Sequence, residues 1–337
     1  MIYQWHMAQF DSLQVRRRVG LPHALLLRGP QGVGKLAFAE AVATALLCER
    51  PDAEGNACRQ CRACAWLEQG SHPDLRRLEP ESLSAATDTE ATGERKASEQ
   101  ITVESVRRIA DFVHVTSHRG GAKIILIHPA EALNVNAANA LLKNLEEPPA
   151  QTYFLLVAHR WHQLPPTITS RCQDVVLPAP AEKEARAWLA AQAVADPELA
   201  LADAGGAPLL ARSRSEEYWQ ERKLFFGTIT REGFDALAAA EQFRDLPLAR
   251  VLGWLQKWLF DLVSQGAAGQ SRYNPDLAAT ASALAGRIDR RQAVRLLRHV
   301  VRLQRVASHP LNVRLFYEGL FLAYADLLRR RPVDLAA

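Results

Sequence analysis

Four cysteines lie close together in the sequence and have the spacing of a metal site. Cys58, Cys61 and Cys64 follow the pattern Cys-x-x-Cys-x-x-Cys, and Cys48 stands ten positions upstream. Four thiolates in a short loop are the ligand set of a closed, tetrahedral structural zinc site. A ferredoxin cluster is disfavoured, because no fourth cysteine follows three residues after Cys64. The spacing predicts structural Zn²⁺, with His72 able to compete for one ligand place and reduced core cysteines as the alternative.

A glycine-rich stretch between residues 29 and 35 resembles a phosphate-binding loop. Gly29, Gly32, Gly34 and Lys35 belong to a sequence that matches seven of the eight positions of a P-loop. Backbone N–H groups and the lysine of such a loop cradle polyphosphate at a helix N-terminus. The eighth position is Leu36, where a Ser or Thr hydroxyl normally ligates Mg²⁺. The loop predicts a fold more securely than an activity, and ATP binding at Lys35 is left open.

The strand that would carry the catalytic acids of an ATPase lacks them. In an active ATPase of this kind, the strand ends in an Asp that holds Mg²⁺, followed by a Glu that orients water. Here the apolar run 123–127 is followed by His128 and Pro129, and Glu131 lies further along with no reason in the sequence to face a phosphate. We therefore predict no intrinsic ATPase activity, and a hydrolytically active P-loop motor subunit is the alternative.

Alternating strands and helices must position these residues. The order from His23 to Leu47 is apolar run, glycine-rich loop and helical period, which predicts strand, loop and helix. A second alternation begins with a helix over 103–113. It continues with a buried strand at 123–127, a helix over 139–146 and a buried strand at 153–157. This order predicts an α/β fold with a parallel sheet. Residues 79–100 lack periodicity and predict a mobile insertion. After Pro178-Ala-Pro180 only helical periodicity continues, with the apolar stripe Trp254, Leu255, Trp258, Leu259 and Leu262.

The motifs after the second predicted strand resemble those of the AAA+ subunits of bacterial clamp loaders. They are Asn139-Ala-Leu-Leu-Lys-Asn-Leu-Glu-Glu-Pro-Pro149, Phe154-Leu-Leu and Ser170-Arg171-Cys172, and the four-cysteine insert is a further match. The resemblance is dense from His23 to Pro178. It implies a RecA-like AAA+ domain over 1–178 with a zinc module at 48–64, a small helical lid over 179–212, and an all-α collar for oligomerisation over 213–337.

The resemblance also implies a role for Arg171. In this family the arginine acts in trans on ATP bound to the neighbouring subunit, where its guanidinium stabilises transition-state charge. The chain departs from the motor pattern at Leu36, at His128-Pro129, at Ala158-His159 in place of a Thr that senses the γ-phosphate, and at Leu209 in place of a lid Arg. These departures resemble the family members that have lost the motor.

The implied function is that of a non-catalytic subunit of the replicative clamp loader, which supplies Arg171 to a neighbour and helps to load a sliding clamp onto primed DNA. The implied partners are the tau/gamma and delta subunits in a hetero-pentameric ring, the sliding clamp and, through the complex, primed DNA. A zinc-dependent DNA-binding protein is a further alternative, because a four-thiolate site and a basic region near the C-terminus also fit direct DNA contact.

The basic pole lies near the C-terminus. The net charge of the chain is +4, yet residues 287–331 contain eleven Arg, no Lys and three acidic residues. Within this region Arg291, Arg295, Arg298, Arg302 and Arg305 have the spacing of one helix face. This basic stripe fits three interpretations: a solvated face with carboxylate neighbours, a contact with another subunit, or a contact with DNA.

Length and composition restrict the class of protein. The 337 residues are 48% apolar and 23% charged, which predicts two or three globular domains. No apolar run approaches the ~18 residues that a membrane span needs, and the first residues lack a signal-peptide pattern. Five cysteines, four of them clustered, favour a reducing compartment, with Cys172 expected to be buried. The sequence thus predicts a cytoplasmic protein that does not contact the membrane.

Overall fold

The chain forms two compact units, residues 1–181 and 182–337. The structure is a computed structural model, and it describes residues 2–84, 98–118, 121–304 and 312–330. The first unit contains all of the predicted P-loop, cysteine and Arg171 positions. The second contains the basic stripe, of which Arg305 lies outside the described residues.

A five-stranded parallel sheet organises the first unit, with the strand order β2-β3-β4-β1-β5. Alternate residues of the central strands face opposite sides of the sheet, and each side has its own hydrophobic cluster. Strands buried on both faces have continuous apolar sequences, which is why β1, β3 and β4 were predictable. The α/β prediction is confirmed. The strands are β1 (Ala24–Arg28), β2 (Leu75–Leu78), β3 (Lys123–Ile127), β4 (Thr152–Ala158) and β5 (Gln173–Val176).

Helices cover both faces of this sheet. The helix that follows β1 buries Phe38 and Val42 in the cluster on one face, and two later helices bury Val106 and Leu141 in the cluster on the other. The helices are α1 (Met7–Val19), α2 (Lys35–Leu47), α3 (Arg62–Glu68), α4 (Glu81–Ser84), α5 (Val103–His114), α6 (Val135–Glu146) and α7 (Pro166–Thr169).

Two predicted boundaries in this unit differ from the structure. Helix α6 begins at Val135 rather than at residue 139, because the Asn134 side chain accepts a hydrogen bond from the Ala137 N–H at 2.8 Å and caps the helix there. The predicted insertion over 79–100 includes the short helix α4, and its residues 85–97 lie outside the described residues.

All regular secondary structure in the described residues of the second unit is helical, as predicted. A small cluster around Leu189 and Leu201 joins the first three helices, and a larger one contains Trp254, Trp258 and Phe321. The whole predicted apolar stripe of residues 254–262 is buried in the larger cluster. The division of this unit at residue 212 stays a prediction. The helices are α8 (Glu182–Ala191), α9 (Pro197–Asp203), α10 (Pro208–Arg212), α11 (Glu216–Ile229), α12 (Ala236–Gln242), α13 (Leu248–Ala268), α14 (Ala278–Ala285), α15 (Arg290–Leu303) and α16 (Val313–Leu328).

No helix within residues 2–84, 98–118, 121–304 and 312–330 is both long enough and apolar enough to span a membrane.

Candidate functional site

The P-loop connects the carboxyl end of β1 to the start of α2. Gly34 has a left-handed φ of +99°, and a Cβ at this position would lie 2.5 Å from Cδ2 of Tyr3. A Cβ at Gly29 would lie 2.0 Å from the carbonyl oxygen of Leu177. These glycines are therefore required by close packing of the chain around the loop, in addition to any role in phosphate binding.

Lys35 is turned toward its own loop. The side chain is buried, with 2% of its surface exposed, and Nζ donates hydrogen bonds to the carbonyl oxygens of Gly29 at 2.8 Å and of Pro30. Burial lowers the pKa of Lys35 to about 8, against the opposing attraction of the Glu131 carboxylate. The hydrogen bonds of the amino group are thus made to the loop backbone.

An aromatic segment at the N-terminus packs against the same loop. The rings of Tyr3 and Trp5 stack with centroids 4.8 Å apart. The indole N–H of Trp5 donates to the carbonyl oxygen of Val33 at 2.9 Å, and the ring of Tyr3 lies beside Gly34. No local pattern in the sequence links these two aromatic residues to a loop about thirty positions away.

Two histidines lie side by side at the carboxyl ends of β3 and β4. His128 Nε2 and His159 Nε2 are 3.3 Å apart, and the rings meet edge to face. Burial lowers the pKa of both rings, and the charge of Lys35 contributes to bringing the pKa of His159 to about 4. Both rings are neutral near pH 7. A neutral imidazole does not supply the negative charge that the Asp of an active ATPase supplies to Mg²⁺.

Glu131 is nearer to the P-loop lysine than the sequence suggested. Its side chain is 2% exposed, and its carboxylate accepts hydrogen bonds from the backbone N–H groups of His159 at 3.1 Å and Arg160 at 3.0 Å. Its negative charge partly opposes the lowering of the pKa of Lys35 and of His128 by burial. The carboxylate therefore holds the segment after β4 in place and balances the buried charge of Lys35.

The four clustered cysteines come together as predicted. Their Sγ atoms all lie within 4.8 Å of one another, and theirs is the one candidate metal-binding group found in the described parts of the chain. Cys48 Sγ is 3.5 Å from Cys58 Sγ and 3.9 Å from Cys61 Sγ. Tetrahedral bonds of ~2.3 Å from sulfur to zinc give similar sulfur separations. The group can hold a metal ion.

Hydrogen bonds around the sulfur atoms favour the ionised, thiolate form of some of these cysteines. Backbone N–H groups of Cys58 and Cys61 donate to neighbouring sulfur atoms at 3.3 Å. Burial opposes ionisation of Cys61, but hydrogen bonds, those from the backbone of Cys64 and Glu49 first among them, bring its pKa to about 6. Burial and the neighbouring thiol raise the pKa of Cys64 to about 12. A bound cation would favour ionisation of all four thiols.

His72 is separate from the four sulfur atoms. It is buried, and its Nδ1 accepts a hydrogen bond from the Asp74 N–H at 3.1 Å. The candidate group consists of the four cysteines without it. Cys172 is half-buried rather than buried, and burial together with the charge of Asp174 raises its pKa to about 12.

Arg171 lies in the turn between α7 and β5, with 35% of its side chain exposed. Its Nη2 is 2.5 Å from Oε1 of Glu146 at the end of α6, and its Nη1 donates to the Thr167 carbonyl oxygen at 2.9 Å. The guanidinium is thus oriented by an ion pair and a backbone carbonyl at the surface of the unit. The pairing with Glu146 was not anticipated.

Comparisons with known proteins extend over both units. The family model described as "DNA polymerase III, delta subunit" matches residues 9–181, and the model described as "DNA polymerase III, delta subunit, C terminal" matches residues 216–325. The DNA polymerase III subunit delta' of Pseudomonas aeruginosa is 38% identical over 270 residues, which cover 78% of this chain and 77% of that protein. The chain belongs to the delta-prime family of DNA polymerase III subunits.

Two further relatives bear on this family membership. The delta-prime subunit of Escherichia coli K12 is 29% identical over 339 residues, 97% of this chain and 96% of that protein. The DNA polymerase III subunit tau of Bacillus subtilis is 33% identical over 151 residues, 45% of this chain and 24% of that protein. The resemblance to clamp-loader subunits found in the sequence is confirmed.

The predicted site residues of this delta-prime family member form three separate groups. The first group is the P-loop, residues 29–35, whose Lys35 interacts electrostatically with His128, His159 and Glu131. The four cysteines form the second group and Arg171 with Glu146 the third. Leu209, which replaces a lid Arg in the motor pattern, lies in α10 of the second unit.

Proposed function

We propose that this chain is a clamp-loader subunit that does not hydrolyse ATP itself and that supplies Arg171 in trans to the ATP site of a neighbouring subunit. In this proposal it joins tau/gamma and delta subunits in a hetero-pentameric ring in the cytoplasm. The ring uses ATP hydrolysis by the motor subunits to load a sliding clamp onto primed DNA. The four cysteines hold a structural Zn²⁺.

The hydrogen bonding of Lys35 carries the first part of the proposal. A P-loop lysine contributes to phosphate binding through an amino group directed at the phosphates. Here that group donates to two carbonyl oxygens of its own loop and is buried. Leu36 offers no ligand to Mg²⁺, and His128 stands where the acid would be. These contacts support a loop that is retained for its structure.

The position of Arg171 supports the second part. The arginine is at the surface, and Glu146 and the Thr167 carbonyl hold its guanidinium in a defined orientation. A preorganised guanidinium stabilises charge on a transferring phosphoryl group without the cost of reorienting in the reaction. An exposed ion pair of this kind contributes only ~0.2–1 kcal/mol to stability, so it can be exchanged for contacts with a neighbour's nucleotide.

The test is ATP turnover by rings reconstituted from tau/gamma, delta and this chain, with sliding clamp and primed DNA present. Arg171→Ala is expected to abolish the contribution of one subunit interface to the ATP turnover of the ring. At such an interface an arginine finger accelerates hydrolysis by about 10³- to 10⁵-fold. Arg171→Lys is expected to restore little, because an ammonium lacks the planar fork of the guanidinium. Both variants are expected to enter the ring and to keep the metal content of the wild-type chain.

Arg77→Ala is the matched control. Arg77 pairs with Glu40 at 2.8 Å, and its side chain is 39% exposed, so it loses a similar ion pair at a different place. Rings with this variant are expected to turn over ATP at the wild-type rate. Equal rates for wild type and both Arg171 variants would refute the finger, and turnover by the isolated wild-type chain that Lys35→Ala abolishes would favour a motor subunit.

A further inference from the structure

The basic stripe of α15 projects into solvent. Arg291, Arg295, Arg298 and Arg302 are all exposed. The opposite face of the helix is anchored in the core of the unit by Ala293, Leu296 and Val300, each with 0% of its surface exposed. Because the buried face fixes the rotation of the helix, the four guanidinium groups share one side over a rise of about 16 Å.

Within the part of the unit that the structure describes, these four arginines lack the carboxylate partners that other arginines have. Arg222 pairs with Asp276, Arg244 with Glu241, Arg250 with Glu221 and Arg314 with Glu318. No ion pair of a stripe arginine is present among residues 2–84, 98–118, 121–304 and 312–330. Of the interpretation as a solvated face with carboxylate neighbours, the solvent exposure is confirmed, and no carboxylate neighbour is paired with it in the described residues.

Two of the three acidic residues in the basic pole, Asp289 and Glu318, already have partners. Asp289 accepts a hydrogen bond from the Gln292 N–H at 2.9 Å and caps the N-terminus of α15. Glu318 is paired with Arg314. The positive potential of the stripe also affects its own helix, since burial and the charge of Arg302 lower the pKa of His299. Among the described residues, the stripe thus presents a row of positive charges that form no ion pair.

The composition of this face distinguishes between two kinds of partner. Protein interfaces have an apolar core beneath a polar rim, whereas interfaces with nucleic acid are polar and strongly positive. Val301, 39% exposed, is the one large apolar residue of α15 with substantial exposure. The helix also contains no Phe, Tyr or Trp on which unpaired bases could stack. These features favour the phosphate backbone of a duplex over an acidic protein or a single strand.

We propose that the stripe Arg291, Arg295, Arg298 and Arg302 of α15 is a binding surface for the sugar-phosphate backbone of duplex DNA. Its contacts are electrostatic and independent of base sequence, because arginines that contact phosphate oxygens position a duplex without reading it. The stripe covers about five base-pair steps at ~3.4 Å each, which allows each guanidinium its own phosphate. The inference does not depend on Arg171 or on nucleotide at Lys35.

The experiment measures binding of the full-length chain to a fluorescent duplex of mixed sequence by anisotropy, over a series of salt concentrations. Four phosphate contacts give a slope of log K against log salt of about −3.6. The double variant Arg295→Gln/Arg298→Gln is expected to bind more weakly and to change this slope by about 1.8. The affinity is expected to be the same for a second duplex of unrelated sequence.

Arg244→Gln/Arg314→Gln is the matched control, since it removes the same net charge from two exposed arginines that have carboxylate partners. It is expected to keep the wild-type slope. If the slope of log K against log salt decreased equally in both double variants, the effect would come from net charge alone and the proposal would be overturned. Absence of salt-dependent binding by the wild-type chain would also overturn it. Unchanged DNA binding with weaker retention of tau/gamma and delta subunits would assign the stripe to a subunit interface instead.

Discussion

Single residues decide the chemistry beside the P-loop. His128 and His159 place two neutral rings 3.3 Å apart at the ends of adjacent strands, and Lys35 donates to the carbonyls of its own loop. Glu131 is the nearby carboxylate. It accepts hydrogen bonds from the backbone N–H groups of residues 159 and 160, so its role is structural. The residues that would act on a nucleotide in a motor subunit thus interact with one another and with the backbone here.

His159 makes the stability of the first unit depend on pH. Its pKa falls from 6.5 to about 4 on folding, chiefly by burial. Between these values the unfolded chain binds a proton that the folded chain does not, so acidification lowers the free energy of unfolding by up to ~1.4 kcal/mol per pH unit. Above pH 6.5 this contribution is constant. Urea unfolding at pH 7 and pH 5 is expected to show that the free energy of unfolding falls more for the wild type than for His159→Asn.

His162→Asn is the control for this measurement. His162 is exposed and lies three residues away, so its replacement is expected to leave the pH dependence of unfolding as in the wild type. Parallel losses of stability in wild type and His159→Asn between pH 7 and pH 5 would show that His159 is not the group that titrates.

At the scale of elements, the four-cysteine module joins the end of α2 to the start of α3. Cys48 follows the last residue of α2, and Cys61 immediately precedes α3. A metal ion held by these residues would fix the direction in which the chain leaves one helix and enters the next. The surrounding cluster contains few apolar residues, so coordination bonds are expected to supply much of the local stability.

Cys61→Ser is expected to reduce the zinc content of the purified chain from about one ion per molecule to well below one, because three thiolates bind Zn²⁺ less tightly than four. It is also expected to increase proteolysis between residues 48 and 64, since metal binding and folding of such a module are coupled. Elemental analysis and limited proteolysis measure the two effects. Cys172→Ser, at the cysteine outside the group, is the control and is expected to retain the metal. Purified wild-type chain without zinc would contradict the proposed site.

At the scale of the whole molecule, buried charge connects parts of the second unit that are distant in sequence. Asp203 in α9 is 1% exposed. Its carboxylate accepts hydrogen bonds from Tyr218 Oη and Lys257 Nζ, each at 2.8 Å, and Arg214 Nε lies 3.4 Å away. These contacts link the predicted lid to the first helices of the predicted collar, and Trp219 packs against the hydrophobic clusters of both parts.

Asp203→Ala is expected to lower the free energy of unfolding of the second unit by about 3–5 kcal/mol, because it leaves buried cations without their carboxylate. Urea unfolding followed by tryptophan fluorescence measures the change. Asp245→Ala removes a carboxylate that is 90% exposed and pairs with Arg244, so it is expected to change stability by less than ~0.5 kcal/mol. Equal effects of the two substitutions would show that the Asp203 cluster does not hold this unit together.

The sequence by itself determined the features that depend on neighbouring residues. The strands β1, β3 and β4 were predictable because strands buried on both faces are continuous apolar runs. The edge strands β2 and β5 were not predicted, because each contains exposed polar residues. The four-cysteine group was predictable because its ligands lie within seventeen positions, and the P-loop because its glycines and lysine are contiguous. The start of α6 was predicted four residues late, since the capping role of Asn134 depends on a backbone geometry that the apolar pattern does not reveal.

The tertiary structure alone decided how these local features are used. The contacts of Tyr3 with Gly34, of Glu131 with the backbone of residues 159 and 160, and of Glu146 with Arg171 join residues at least 25 positions apart. Helical and strand periodicity describes which face of an element is apolar, but not which distant side chain meets it. The folded chain therefore determines that Lys35 faces its own loop, that Arg171 is held at the surface, and that the arginines of α15 have no carboxylate within the described residues.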